Sequence, residues 1–411
     1  MTAPAVSVVI VSRHRAALLR RCLLGVSQQL YAPFEIVVVA DPAGLKAAQS
    51  LIFAQDLKLI AFDQPNIAVA RNLGIEQAAG DIIAFIDDDA VPEPTWLKFL
   101  TAPAERPEVA AMGGFVRGRN GISWQWRGHR LDAFGAPHPV EVGEGAFQVL
   151  WPKNDGAIKT EGTNMAFRRA LLVELGGFDP AFSYFLDETD INMRLAAAGY
   201  ATALVPKAEV HHGFAPNRMR NQARVPTDLF EIGASWAVFQ RKHVPSDARL
   251  RQWQGIYAAQ RARLLKHMVQ GGLEPFTVRK LLSRLEMGYA EGQARELIGH
   301  NLKEKPFGSF RLSRTLPSAS RFLVTTPRNL TSTLAQAAEN RSKGEIVTIL
   351  SLSMTALFHH TAYHNQGVWL QQGGTYGRSE RSDPIVTWST RAERASRERQ
   401  RVALQRAITS E

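Results

Sequence analysis

A regular alternation near the N-terminus limits the possible folds more than any other feature of this chain. Four short apolar runs rich in β-branched residues, Val6–Val11, Phe34–Val39, Leu57–Phe62 and Asp81–Ile86, alternate with segments whose apolar residues recur at helical spacing, Arg15–Gln29, Leu45–Gln55 and Ile67–Ala79. Such runs read as strands buried on both faces. A helical crossover between strands makes successive strands parallel, so a doubly wound, mostly parallel α/β sheet is expected. Sheets of this class bind ligands beyond the carboxyl ends of their strands. Asp41 and Asp87–Asp89 fall at two such ends.

Further along, Val109–Val116 reads as another strand, followed by loops and short strands to about Asp155. Ala170–Leu175 and Thr189–Ala198 read as helices and Ala201–Val205 as a strand. The pattern changes near residue 215, where helical segments take over: Thr227–Lys242, Asp247–Val269 and Pro275–Ile298. Residues 300–345 look irregular and basic, and Arg391–Ser410 looks helical and Arg-rich. The expected organisation is an α/β unit over 1–215, a helical extension over 216–300 and a basic region of irregular and helical segments over 301–411.

Charge follows the same division. The whole chain carries +11, but residues 211–411 hold 30 Lys+Arg against 15 Asp+Glu. A basic back half expects an anionic partner such as a membrane surface or a phosphorylated substrate. A nucleic-acid partner is not expected, because no helix-turn-helix, zinc-finger or RNP signature accompanies the charge. The single cysteine, Cys22, excludes a disulfide framework and a cysteine-based zinc cluster. The longest later apolar run, Ile346–Phe358, is too short to span a bilayer, so membrane contact would be peripheral.

Several constellations carry chemistry. Alternate residues of an extended chain point the same way, so Asp87 and Asp89 can face one cation, and oxygen ligands suit Mg²⁺ or Mn²⁺. A solvated acidic turn is the plain alternative. Asp187, Glu188 and Asp190 precede a helix; Asp190 can simply cap it, while a neighbour could serve as general base toward a hydroxyl. Arg71 could grip a diphosphate or merely face solvent. The His211–His212 pair could supply a nitrogen ligand or pack in the core.

The order of these pieces resembles family 2 glycosyltransferases of the GT-A nucleotide-diphospho-sugar fold. The resemblance runs over residues 5–215 through VSVVIVSRHR, FEIVVVAD, NIAVARNLGIEQAAGDIIAFIDDDAVPEPTWL, GTNMAFRRALLVELGGFDPAF, DETDINMRLAAAGY and HHG. It implies that the loop Ser12, Arg13, His14, Arg15 borders the nucleotide and that Asp41 contacts a pyrimidine base, although Pro42-Ala43 replaces the usual Gly-Ser. Arg71 resembles a donor-site arginine. Asp87, Asp88 and Asp89 resemble the DxD element, with Asp87 and Asp89 as metal ligands and Asp89 the foremost. Thr163 and Asn164 lie where the family lines the donor-sugar and acceptor region. Glu188 holds the general-base position with Asp187 as its rival, and His211 resembles the histidine completing the metal site, with His212 as alternative.

The resemblance further implies an inverting, metal-dependent hexosyl transfer from a nucleoside-diphosphate sugar, UDP or dTDP favoured, to a hydroxyl of a glycan or lipid-linked acceptor in cell-surface polysaccharide synthesis. It places the protein in the cytoplasm or peripherally on the cytoplasmic membrane face. The alternative is a non-catalytic nucleotide-sugar-binding relative. A nicotinamide enzyme is disfavoured, since SRHRAA follows the first strand in place of G-x-G-x-x-G.

Overall fold

The structure is a computed structural model. It describes residues 3–143, 145–297, 299, 301–314 and 316–409. The expected helix end at Ile298 and the tail residue Ser410 therefore lie outside the described residues.

The four N-terminal runs form strands Val6–Ser12, Phe34–Ala40, Leu57–Ala61 and Ile82–Phe85. They are mutually parallel, with Val6–Ser12 between Ile82–Phe85 and Phe34–Ala40, and Leu57–Ala61 outermost. Both sheet faces are covered, as the unbroken apolar runs require. Val6, Val8 and Ile10 enter one core, while Val9 and Val37 enter the other. Beyond Ile82–Phe85 the sheet becomes mixed. Met165–Arg168 lies antiparallel to both Ile82–Phe85 and Val109–Arg117, and Val109–Arg117 pairs in parallel with the long strand Ala201–His212. That strand was expected only over Ala201–Val205. Its continuation pairs with Ala90–Pro92, the short strand directly after the three aspartates.

Helices Phe230–His243, Ser246–Val269 and Pro275–Ala294 form the expected extension. The first and third pack backbone to backbone. A Cβ at Gly288 would stand 1.9 Å from the Phe230 carbonyl oxygen, and one at Gly233 2.1 Å from that of Leu285. Trp253 stacks on Tyr289 beside this seam, with centroids 3.7 Å apart.

The C-terminal region departs from expectation. Residues 300–345 contain a strand, Ala319–Thr325, and a helix, Leu330–Ser342, leading into the strand Glu345–Ser353. These form a parallel strand–helix–strand unit, continued by Val368–Gly374 in parallel and His360–His364 antiparallel at the edge. The first strand is a half-exposed edge whose larger apolar residues, Phe322, Leu323 and Val324, follow Ser320 and Arg321 in its second half. Ile346, Tyr363 and Trp369 join the main core. Trp369 is fully buried. Among the described residues no helix is long and apolar enough to cross a membrane.

Candidate active site

A cleft of about 620 Å³ opens at the carboxyl ends of the parallel strands. Its floor is the turn after Ile82–Phe85. Asp88 turns toward the first strand, accepting from Ser12 Oγ at 2.7 Å and Arg15 Nη1 at 2.7 Å. Burial pushes its carboxyl up to about 7, against the opposing charge of Arg15. Asp89 Oδ2 stands 3.6 Å from the same Arg15 nitrogen, and Asp87 Oδ1 stands 3.8 Å from Arg71. With His212, Asp87 and Asp89 offer three ligand atoms that all lie within 4.8 Å of one another. Two carboxylates and an imidazole suit a divalent cation of the Mn²⁺ type.

Burial works to raise the Asp89 pKa, but the hydrogen bond and charge of His212, then Arg15, outweigh it and hold it below the carboxylate range. His212 Nε2 is 3.1 Å from Asp89 Oδ1, and its Nδ1 meets Gln125 Oε1 at 3.2 Å. An acceptor on Nδ1 leaves the Nε2 lone pair for a metal.

The metal histidine expected at 211 is corrected by this geometry. His211 lies on the opposite face of its strand, with Nε2 2.9 Å from Glu93 Oε1 and its ring 4.8 Å from that of Trp369. A bulge between Val205 and Glu209 shifts the register, so the side that each later residue faces cannot be counted from the start of the strand.

Helix Asp187–Ala197 aims its first turn at the same cleft, entered through Leu186 in a left-handed conformation (φ 67°). Asp187 is buried and bound by Arg71, which also reaches Gly162 O at 3.3 Å and stands 3.8 Å from Asp87. Burial raises the Asp187 carboxyl to about 7, opposed by Arg71 and reinforced by Glu188. Glu188 keeps 19% of its side chain exposed on the cleft wall, 3.7 Å from Lys159 Nζ. Lys159 in turn holds Glu161 at 2.9 Å. Among the described residues Thr163 Oγ1 and Glu161 Oε1, buried beside the cleft, have no hydrogen-bond partner. Orphaned buried polar atoms at a cleft wall point to a ligand that would satisfy them.

Other expected residues fall differently. Arg13 lines the cleft but pairs with Asp63 at 2.8 Å. Asp41 sits behind the cleft wall, accepting from the His14 amide at 2.9 Å and capping the helix Pro42–Gln49. Asn164 is wholly buried; its amide donates to Phe115 O and Ala208 O and accepts from Trp96 Nε1, so it braces the sheet and does not face the cleft. Asp190 ties its helix to Lys242 and His243.

Sequence reasoning missed Gln125 and Lys159. It also missed a cationic lip, in which Phe214 lies on His212 at 4.3 Å and carries Arg220 and Arg224 at 5.3 and 3.9 Å. Among the described residues neither arginine has an ion-pair partner. The aromatic–Arg spacing after HHG was the available signal.

The α/β sheet, the acidic turn at its carboxyl edge and the facing helix N-terminus bring a grouped carboxylate pair, a histidine and a part-exposed glutamate to one cleft. A profile described as glycosyltransferase like family 2 matches residues 4–225, more than half of the chain, and the chain belongs to that family. Among curated relatives, it is 27% identical over 230 residues to the O-antigen biosynthesis protein RfbC of Myxococcus xanthus, covering 52% of this chain and 18% of that protein. It is 30% identical over 157 residues to a glucosyl-dolichyl phosphate glucuronosyltransferase of Haloferax volcanii, covering 37% and 48%. It is 30% identical over 195 residues to the succinoglycan biosynthesis protein ExoM of Rhizobium meliloti, covering 44% and 58%. The chain thus spans between about a fifth and three fifths of the length of these relatives.

Proposed function

We propose that this chain is an inverting, metal-dependent glycosyltransferase. It moves a sugar from a nucleoside-diphosphate donor to a hydroxyl of a glycan or lipid-linked acceptor in cell-surface polysaccharide synthesis. The observation that carries the reading is one cleft holding both the Asp87–Asp89–His212 ligand set and the part-exposed Glu188. Family membership and the polysaccharide-biosynthesis names of two relatives support the substrate class. UDP or dTDP is the favoured nucleotide, and the cytoplasm is the compartment that supplies such donors.

Asp87, Asp89 and His212 would hold Mn²⁺ or Mg²⁺, which when bound neutralises charge on the leaving diphosphate. Arg220 and Arg224 add cationic character on the same side. Arg71 is spent on Asp187, and that ion pair fixes the helix whose next residue is Glu188. Glu188 accepts the proton of the acceptor hydroxyl as the acceptor oxygen bonds to the anomeric carbon. The bond from that carbon to the diphosphate oxygen breaks, its electron pair leaves with the nucleotide, and one displacement inverts the centre. Asp187 is not the base in this reading, because its carboxylate is occupied by Arg71.

The test is a transfer assay over UDP-, dTDP- and GDP-sugars with Mn²⁺, Mg²⁺ or chelator, with the product's anomeric configuration read by NMR. Metal-dependent transfer with inversion supports the reading. Donor binding without transfer to any glycan or lipid-linked acceptor returns the chain to the non-catalytic alternative.

A further inference from the structure

The C-terminal sheet ends in a different kind of surface. The strands Ala319–Thr325, Glu345–Ser353 and Val368–Gly374 run in parallel, so the segments that follow them gather at one edge. Backbone bonds stitch those segments together: Gly374 N to Leu357 O at 2.9 Å, Tyr376 N to Thr355 O at 3.1 Å and Thr387 N to Tyr376 O at 2.9 Å. The Trp388 ring lies 5.1 Å from that of Tyr376. On this edge Met354, Leu357 and Phe358 are 68, 62 and 57% exposed, and Ile385 and Trp388 are 64 and 83% exposed. Large apolar side chains gathered on one exposed edge mark an interaction surface.

The charge around the patch narrows the partner. Arg378 lies over Phe358 at 4.4 Å, and Arg328 and Arg381 are exposed on the segments after the first and third of these strands. Among the described residues none of the three has a carboxylate partner. The neighbouring acids Glu380 and Asp383 face Arg401, at 3.6 and 3.0 Å. Residues 319–411 carry 12 Lys+Arg against 7 Asp+Glu. Bulky apolar and indole side chains flanked by unpaired arginines match the interface of an anionic bilayer, where the apolar parts leave water and the guanidinium groups meet lipid phosphates.

We infer that the carboxyl-end edge of the C-terminal sheet is a docking surface for an anionic lipid bilayer, with Phe358 and Trp388 as its inserted anchors. The inference is independent of the reaction in the cleft. The test is flotation of the full chain with vesicles of phosphatidylcholine alone or mixed with phosphatidylglycerol. Wild type should float with the mixed vesicles and hardly with the neutral ones, and added salt should weaken binding. Replacing Arg378 or Arg381 by Gln should cost roughly fivefold per residue. The Phe358→Ser/Trp388→Ser variant should lose at least about tenfold, with an unchanged melting temperature showing that it folds. Brominated lipid should quench wild-type fluorescence more than that of Trp388→Phe. Equal flotation of wild type and the double serine variant, or none by folded wild type, overturns the inference. So does a dimer in light scattering that the double serine variant dissolves, which would assign the patch to a second copy.

Discussion

The strands Val6–Ser12 and Ile82–Phe85 run into Ser12, Arg15 and three aspartates, whereas Ala319–Thr325, Glu345–Ser353 and Val368–Gly374 run into Met354, Phe358 and Trp388. Both regions contain parallel strands joined through a helix, and both gather loops at the carboxyl edges of those strands. Among the described residues, the first edge lines a cleft where buried polar atoms lack partners, and the second exposes apolar side chains and arginines without carboxylate partners. The same construction therefore presents two chemically different edges, and the residues placed there make the difference.

The two regions are also joined. Arg406, on the terminal helix Arg391–Arg406, donates to both Glu93 oxygens at 2.9 Å and lies over Trp369 at 4.2 Å. Glu93 also holds His211, the neighbour of His212. The C-terminal unit thus grips the strand beside the acidic turn from behind.

The largest expected effect would break the comparison at its acidic side. Glu188→Gln should bind donor normally in calorimetry yet transfer about 10²–10⁴-fold more slowly; normal turnover would remove Glu188 as base. Next comes the join. Burial works to raise the Glu93 pKa, but Arg406 and His211 outweigh it and hold it at about 2, against an ordinary 4.5. A depressed carboxylate pKa gives stability that is present above pH 4.5 and lost as pH falls toward 2. Glu93→Gln should therefore cost roughly 3 kcal/mol at pH 7 in urea unfolding, and the gap should close near pH 2. A pH-independent gap would mean that the ion pair does not carry the join. Smallest is the cationic lip: Arg220→Ala should weaken nucleoside-diphosphate binding by roughly 1.5 kcal/mol without altering stability. No change in affinity would place Arg220 outside the donor site.

Much of the first region was legible in the sequence. An uninterrupted apolar run is what a strand covered on both faces requires, and its sudden end in three aspartates marked the edge of the sheet. The choice between His211 and His212 was not legible, because it depends on the bulge after Val205. Nor was the burial of Asn164, whose amide is used by partners as distant in sequence as Phe115 and Ala208. The C-terminal sheet escaped because the apolar part of Ala319–Thr325 is only Phe322–Val324, a run too short to stand out between Ser320, Arg321 and the Pro327 turn.

The central claim is that His212, not His211, completes a metal site with Asp87 and Asp89. The direct measurement is Mn²⁺ binding followed by electron paramagnetic resonance, in the presence of UDP, for wild type, His212→Ala and His211→Ala. Loss of bound Mn²⁺ in His212→Ala with retention in folded His211→Ala is the predicted result. Retention in His212→Ala with loss in His211→Ala would contradict the account.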